Sequence, residues 1–279
     1  MQKNKIKKSP SWEELTFANN FLFCKIMESE PDLCRRILEM LLDVKIEKLK
    51  PVQAERTMLE TMDSKSVRFD VYAKDEKRIF DIEMQTSTSK NLPKRSRYYQ
   101  SVIDMDNLSK GENYTRLKDS YVIFLCQNST FAKLHPVYFF ENICRNDGEV
   151  KLDDKAYKVF FIASEYAKME GSEERSFFKF LSGLGAESEL TKSIEEKVSF
   201  AKKNMRWRKQ YMTWQQTIDE EKDIAYEEGR EEGRVDAAEN LLRMGAITDE
   251  QISQATGLPL NRVLQIKQRI MNLTPSDFL

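Results

Sequence analysis

Histidine is nearly missing from this chain: His135 is the single one among 279 residues. The four cysteines, Cys24, Cys34, Cys126 and Cys144, include no C-x-x-C pair. A zinc centre draws its ligands from Cys and His at short spacing, so none is expected here. Three of the cysteines lie in apolar periodic segments and read as buried free thiols of a reducing compartment. Net charge is nearly absent too. The 45 Lys and Arg face 46 Asp and Glu, a formal −1. No global field draws the chain to nucleic acid or to an anionic membrane, so any such surface must be local. No apolar run approaches the ~18 residues that span a bilayer. The basic opening MQKNKIKKSP runs into SWEEL and not into an apolar stretch, which does not fit a secretory signal. A cytoplasmic location without membrane attachment is the expectation.

What the chain does have is charge in both signs. Charged residues make up 33% of it and aromatics 10%. Heavy charge beside a normal aromatic content argues for a folded core plus long charged helices, and against disorder. The segment SWEELTFANNFLFCKIM is periodic as a helix, with Ser11 as N-cap and Glu14 three residues on. Pro31 opens a second amphipathic helix, PDLCRRILEMLL. Strand-like pieces follow near 44–52, 67–74 and 79–86. LPKRSRYYQSVIDMDNLSKG is helical, opened by Pro93 and closed by Gly111. SYVIFLC is an unbroken apolar run, as expected of a central strand. HPVYFFENIC and AYKVFFIAS read as further strands, and from about Ser172 the pattern is helical. The fold class predicted is α/β, with a mixed sheet flanked by helices and a helical C-terminal extension.

The chemistry concentrates in one hairpin. In VRFDVYAKDEKRIFDIEMQ, Val67, Phe69, Val71 and Ala73 alternate with polar residues on one side of the turn, and Phe80, Ile82 and Met84 on the other. The two apolar sets share a face only if paired residue numbers sum to an odd value. A loop of Asp75 to Arg78 gives the pairs 74/79, 72/81 and 70/83. Asp70 then stands across from Glu83, and Gln85 points the same way. A shorter loop makes the two acids diagonal neighbours on that same face. Opposed like charges destabilise a strand pair. A divalent cation would offset them, and paired carboxylate oxygens suit Mg²⁺.

Asp70, a turn, then Glu83-x-Gln85, together with LPKRSRYYQ, resembles the PD-(D/E)XK nuclease fold with Gln for the last Lys. More specifically, the chain resembles the Rpn family of recombination-promoting nucleases, the PD-(D/E)XK nuclease family transposases. The likeness covers about residues 11–165 and continues loosely through WRKQYM and EEGREEGR. It implies a helix, a three-stranded meander, a second helix and a further strand. It implies a DNA endonuclease dependent on Mg²⁺ or Mn²⁺, with Asp70 and Glu83 as metal ligands and Gln85 orienting the attacking water. Arg97, Tyr98 and Tyr99 would support the site or touch phosphate. Asn20 stands where the resemblance leads one to expect an acid from the first helix; it offers a carbonyl oxygen but no charge. A nuclease fold that binds DNA or a protein without cutting is the alternative.

The predicted organisation is a nuclease-like core over 1–170, a charged helical extension over 171–235, and a helix-turn-helix-like unit over 236–279. In EEGREEGR, Gly229 and Gly233 share a helix face, which would suit a homodimer through the C-terminal helices. In the last segment Thr248 caps one helix, TGL makes the turn, and Arg262, Lys267 and Arg269 on the next helix are candidates for phosphate.

Overall fold

The structure, a computed structural model, describes residues 9–58 and 66–272. The basic opening of the chain up to residue 8, and the end of the helix-turn-helix-like segment beyond 272, lie outside these residues. Two compact units are present: Pro10–Lys209, and Gln210–Leu279 together with the N-terminal residues up to Ser9.

Ser11 and Glu14 do form a capping box, with the Ser11 N–H donating to Glu14 Oε2 at 2.8 Å. It closes only a 3-10 turn, Trp12–Glu14, and not the long helix that the periodicity predicts. Leu15 and Phe17 are buried in the stretch that follows, where the chain leaves the helix at extended Leu15 and turns, with the Asn19 N–H donating to the Thr16 carbonyl at 3.0 Å. The helix restarts as α1, Asn20–Ser29, where the Asn19 side chain accepts the Phe21 N–H at 3.1 Å. α2 is Pro31–Leu42, with proline in its first turn and Asp43 in the left-handed region at its end. Residues 44–52 are not the strand the sequence suggests. Ile46 and Val52 bury their side chains there, but Pro51 has no N–H for a ladder and β1 starts only at Gln53.

The sheet comprises β1 (Gln53–Met58), β2 (Val67–Lys74), β3 (Arg78–Gln85), β4 (Asp119–Cys126), β5 (Val137–Phe140) and β6 (Ala156–Ile162). Its order is β1-β2-β3-β4-β6-β5. The first three strands form an antiparallel meander; β3, β4 and β6 are parallel, and β5 is antiparallel to β6. Parallel strands need a crossover. Between β3 and β4 that crossover carries α3, Leu92–Asn107. α3 covers one face of the sheet, packing Leu92, Val102 and Ile103 with Phe69, Ile79, Val122, Phe124 and Phe160. Alternation sends Phe161 to the opposite face, where it stacks at 5.3 Å on Phe178 of α4 (Ser172–Leu181). β4 is buried along almost its whole length, as its unbroken apolar run requires. The helices that begin at Ser172 thus contribute core residues to the first unit, and α5 (Glu189–Lys202) packs against α1 and α4.

α6 is a single helix of 40 residues, Met205–Met244, with its first turn in the first unit and the rest in the second. It contains EEGREEGR, and no atom outside the helix's own backbone approaches within 4 Å of a Cβ placed at Gly229 or Gly233. α7 (Asp249–Thr256) and α8 (Leu260–Asn272) follow, joined through Gly257 at φ 69°. Ala238, Ile252, Leu258, Val263 and Ile266 form the small core of this unit. Lys267 pairs with Asp249 at 2.8 Å and Arg269 pairs with Glu239, so two of the three basic candidates on α8 are tied internally. No described helix is long and apolar enough to cross a membrane.

Phe124 is fully buried and stacks on Phe160 with centroids 5.1 Å apart. Phe124→Ala should cost about 3–5 kcal/mol, the range for emptying a buried ring site. Chemical denaturation checks this, and a loss under 1 kcal/mol would contradict the packing described.

Candidate active site

The pairs Tyr72↔Asp81 and Lys74↔Ile79 are those the four-residue loop predicts. The backbone ladder then stops at Val71↔Ile82, and side chains take over where the next pair would be. The Asp70 N–H donates to Glu83 Oε1 at 2.9 Å. The Met84 N–H donates to Asp70 Oδ2 at 3.0 Å. Each carboxylate therefore takes a main-chain amide of the opposite strand. The same point is irregular on the other side of β2. Glu55, which the register would pair with Asp70, sits at φ 51° and the β1–β2 ladder skips it.

Alternation alone implies a solvated polar face here. Instead β3 is buried on both faces, because α3 lies over the acids. Asp70 keeps 7% of its surface exposed and Glu83 4%. Burial raises the Asp70 carboxyl above its usual range, against hydrogen bonds from Asn20 and the Met84 N–H. Burial also lifts Glu83, helped by the charge on Asp70 and opposed by the Asp70 N–H and Arg95, to about 8. A third acid shares this face. Asp81 is fully buried and shares a side-chain hydrogen bond with the Glu83 carboxyl. Burial first, and then the charges on Glu83 and Asp70, push its pKa well up. A second ionised carboxyl packed against Glu83 in a buried site is costly, so Asp81 resists ionisation.

Asn20 does reach the site. Its side chain hydrogen-bonds Asp70, while its carbonyl oxygen accepts the Cys24 thiol at 3.1 Å. The oxygen expected to face the acids is thus turned away from them, and the amide nitrogen faces Asp70 instead. Gln85 is engaged at both ends. Its Nε2 donates to the Ser87 carbonyl at 2.6 Å and its Oε1 accepts from Arg95 at 2.9 Å.

Arg95 is the residue that sequence reasoning missed. Its Nη2 is 2.9 Å from Gln85 Oε1 and 3.4 Å from Glu83 Oε2. Its guanidinium lies over Phe124 at 4.9 Å and over Tyr99 at 5.6 Å. Arg97, two residues on, is exposed and turned off this face. The signal was the helical period, since Arg95 is three residues after buried Leu92 and four before Tyr99. Tyr98 and Tyr99 pack against the core under α3, and Tyr99 meets Phe69 edge-on at 5.2 Å.

Among the described residues, no group of three or more His, Cys, Asp and Glu side chains is disposed to hold a metal. The donors on hand are two carboxylates, which fit Mg²⁺: it takes one or two protein carboxylates and fills the rest of its shell with water and phosphate. Both groups resist ionisation where they lie, and a divalent cation would favour their charged forms.

A mixed sheet with an antiparallel meander, a crossover helix and an acid pair where the strands part belongs to the PD-(D/E)XK nuclease class of folds. The chain is a member of the PD-(D/E)XK nuclease family transposases, whose family model matches residues 17–243. No curated protein and no solved structure matches it.

The raised Glu83 carboxyl has a consequence for stability. The folded chain binds this proton more tightly than the unfolded chain, so stability is fullest below 4.5 and declines as the pH rises through about 8. Thermal unfolding in EDTA should show that decline, and Glu83→Gln should flatten it. A variant that declines as steeply as the parent would refute the assignment.

Proposed function

We propose that this protein is a DNA endonuclease that depends on Mg²⁺ or Mn²⁺ and acts in recombination or transposition, in the cytoplasm. The observation that carries this reading is the cross-bonded pair of Asp70 and Glu83. Two buried carboxylates that both resist ionisation are a poor way to hold strands together and a good way to hold a hard cation. Hydrolysis adds one water across a phosphodiester, hydroxyl to phosphorus and proton to the leaving oxygen. A divalent ion bound by Asp70 and Glu83 would lower the pKa of water and act as a Lewis acid on the phosphate. Met84 N–H and Asn20 orient Asp70; Asp70 N–H orients Glu83. Lys90, Lys94 and Arg97 are exposed around the start of α3 and supply a local basic rim for the DNA backbone on a chain whose net charge is near zero.

The alternative reading, a fold that binds without cutting, draws on Asn20, where an uncharged side chain turns its oxygen to Cys24.

Plasmid incubated with purified protein should be cut in Mg²⁺ or Mn²⁺ and left intact in EDTA. Asp70→Asn and Glu83→Gln should abolish cutting. These variants keep an acceptor for the Met84 and Asp70 amides, whereas alanine would orphan a buried N–H and cost stability. Asn20→Asp adds a third carboxylate beside the pair. It should lower stability without metal and tighten divalent binding by calorimetry. Cutting that persists in EDTA or in Glu83→Gln would overturn the reading; DNA binding without cutting would favour the alternative.

The open glycine face of α6 supports a homodimer through Gly229 and Gly233. A helix pays ~1 kcal/mol for each interior glycine, and close approach of a second helix is a use for both. Light scattering should then report a dimer that Gly229→Leu dissociates. A monomer at all micromolar concentrations would exclude it.

A further inference from the structure

We propose that Arg95 is the fixed cation that the cleavage chemistry requires, and that Gln85 serves to hold it rather than to orient water. The proposal rests on the metal-dependent cleavage reading and adds a residue to it. A phosphodiester under attack gathers negative charge on its non-bridging oxygens, and preorganised positive groups stabilise it there. Asp70, Glu83 and Gln85 offer none. Among the described residues, Arg95 is the basic side chain bonded to members of this set, through Nη2 to Gln85 Oε1 and Glu83 Oε2.

Three further observations fix its role. Gln85 cannot turn freely, because its Nε2 donates to the Ser87 carbonyl at 2.6 Å and lies 3.2 Å from the Ser87 hydroxyl. That leaves its carbonyl oxygen aimed at Arg95 and no amide proton aimed at a water. The guanidinium lies over two aromatic rings, Phe124 at 4.9 Å and Tyr99 at 5.6 Å, whose faces attract its charge. And the side chain is not buried away: 34% of it remains exposed, while its Nε is buried with no partner. A structural arginine would satisfy its inner donor and close its fork on a carboxylate. Here a single nitrogen holds both contacts, and Nη1 makes no hydrogen bond among the described residues.

The arrangement also explains why position 85 is an amide. A lysine there would put a second cation beside Arg95 on the same carboxylate. Glutamine supplies an acceptor instead, so the positive charge sits on α3 and its anchor on β3.

The test uses the full-length chain and four variants: Arg95→Gln, Arg95→Lys, Gln85→Lys, and Arg95→Gln with Gln85→Lys. Single-turnover plasmid cleavage in Mg²⁺ is measured beside Mn²⁺ affinity by calorimetry without DNA. Arg95→Gln should slow cleavage by about 10²-fold or more, the scale for a lost transition-state donor. Its Mn²⁺ affinity should hold or rise, because a competing cation has left Glu83. Arg95→Lys should keep part of the rate, as it retains the charge and loses the fork. Gln85→Lys alone should slow cleavage, and the double variant should recover at least tenfold over Arg95→Gln. Unchanged cleavage in Arg95→Gln overturns the proposal alone. So does a fall in Mn²⁺ affinity parallel to the fall in rate, which marks a structural role, or a double variant no faster than Arg95→Gln. A parent chain that cuts in neither metal overturns the underlying reading and the proposal with it.

Discussion

The arrangement of this protein turns on a substitution of bonds at one point. Where β2 and β3 should continue their ladder, the carboxylates of Asp70 and Glu83 accept the N–H groups of the opposite strand. Each acid is thereby committed as a strand fastener through one oxygen and keeps its second oxygen for other partners. The pairing is unfavourable in itself, since both groups are nearly buried, burial raises both carboxyls, and the charge on Asp70 raises Glu83 further. The surroundings must therefore over-determine it. β2 and β3 are fixed below it by four regular pairs, and β3 is fixed along its other edge by eight pairs with β4.

α3 supplies the rest of the constraint. As the crossover between parallel strands it lies over the face that carries Asp81, Glu83 and Gln85. It removes water from the acids, which raises their pKa values, and it brings Arg95 to offset part of the charge. One element thus creates both the electrostatic difficulty and its partial relief. The residual imbalance, with Asp81 resisting ionisation against Glu83, is the kind of local inconsistency that structures retain at functional sites.

Much of this was legible in the chain. The register was, because parity alone decides which face Phe80 and Ile82 occupy, and the polar turn leaves few loop lengths. The Glu83-x-Gln85 spacing was, because alternation puts both on one side. The burial of that side was not, since nothing in FDIEMQ states that a helix starting seven residues later will cover it. Arg95 was missed for a similar reason. Arg97 stands next to the tyrosines that draw the eye, whereas the helical period of the buried residues selects Arg95. The Ser11 capping box was real but local: a cap signals where a helix can begin, not how far it runs, and the burial of Leu15 and Phe17 ended it after one turn. On α8 the basic residues were visible, but their partners Asp249 and Glu239 lie on other helices and only folding brings them together.

The side-chain bonds at the gap in the ladder make two main-chain amides unusual. In a regular hairpin the N–H groups of Asp70 and Met84 would be protected by peptide carbonyls, and their exchange with solvent would report the opening of the sheet. Here they are protected by carboxylates whose hydrogen-bonding strength changes with charge and with whatever else those oxygens hold. Their exchange rates thus follow the ionisation of the acids, while neighbouring amides of β3 follow the strand. The protein carries within its backbone a pair of probes that read its site separately from its stability.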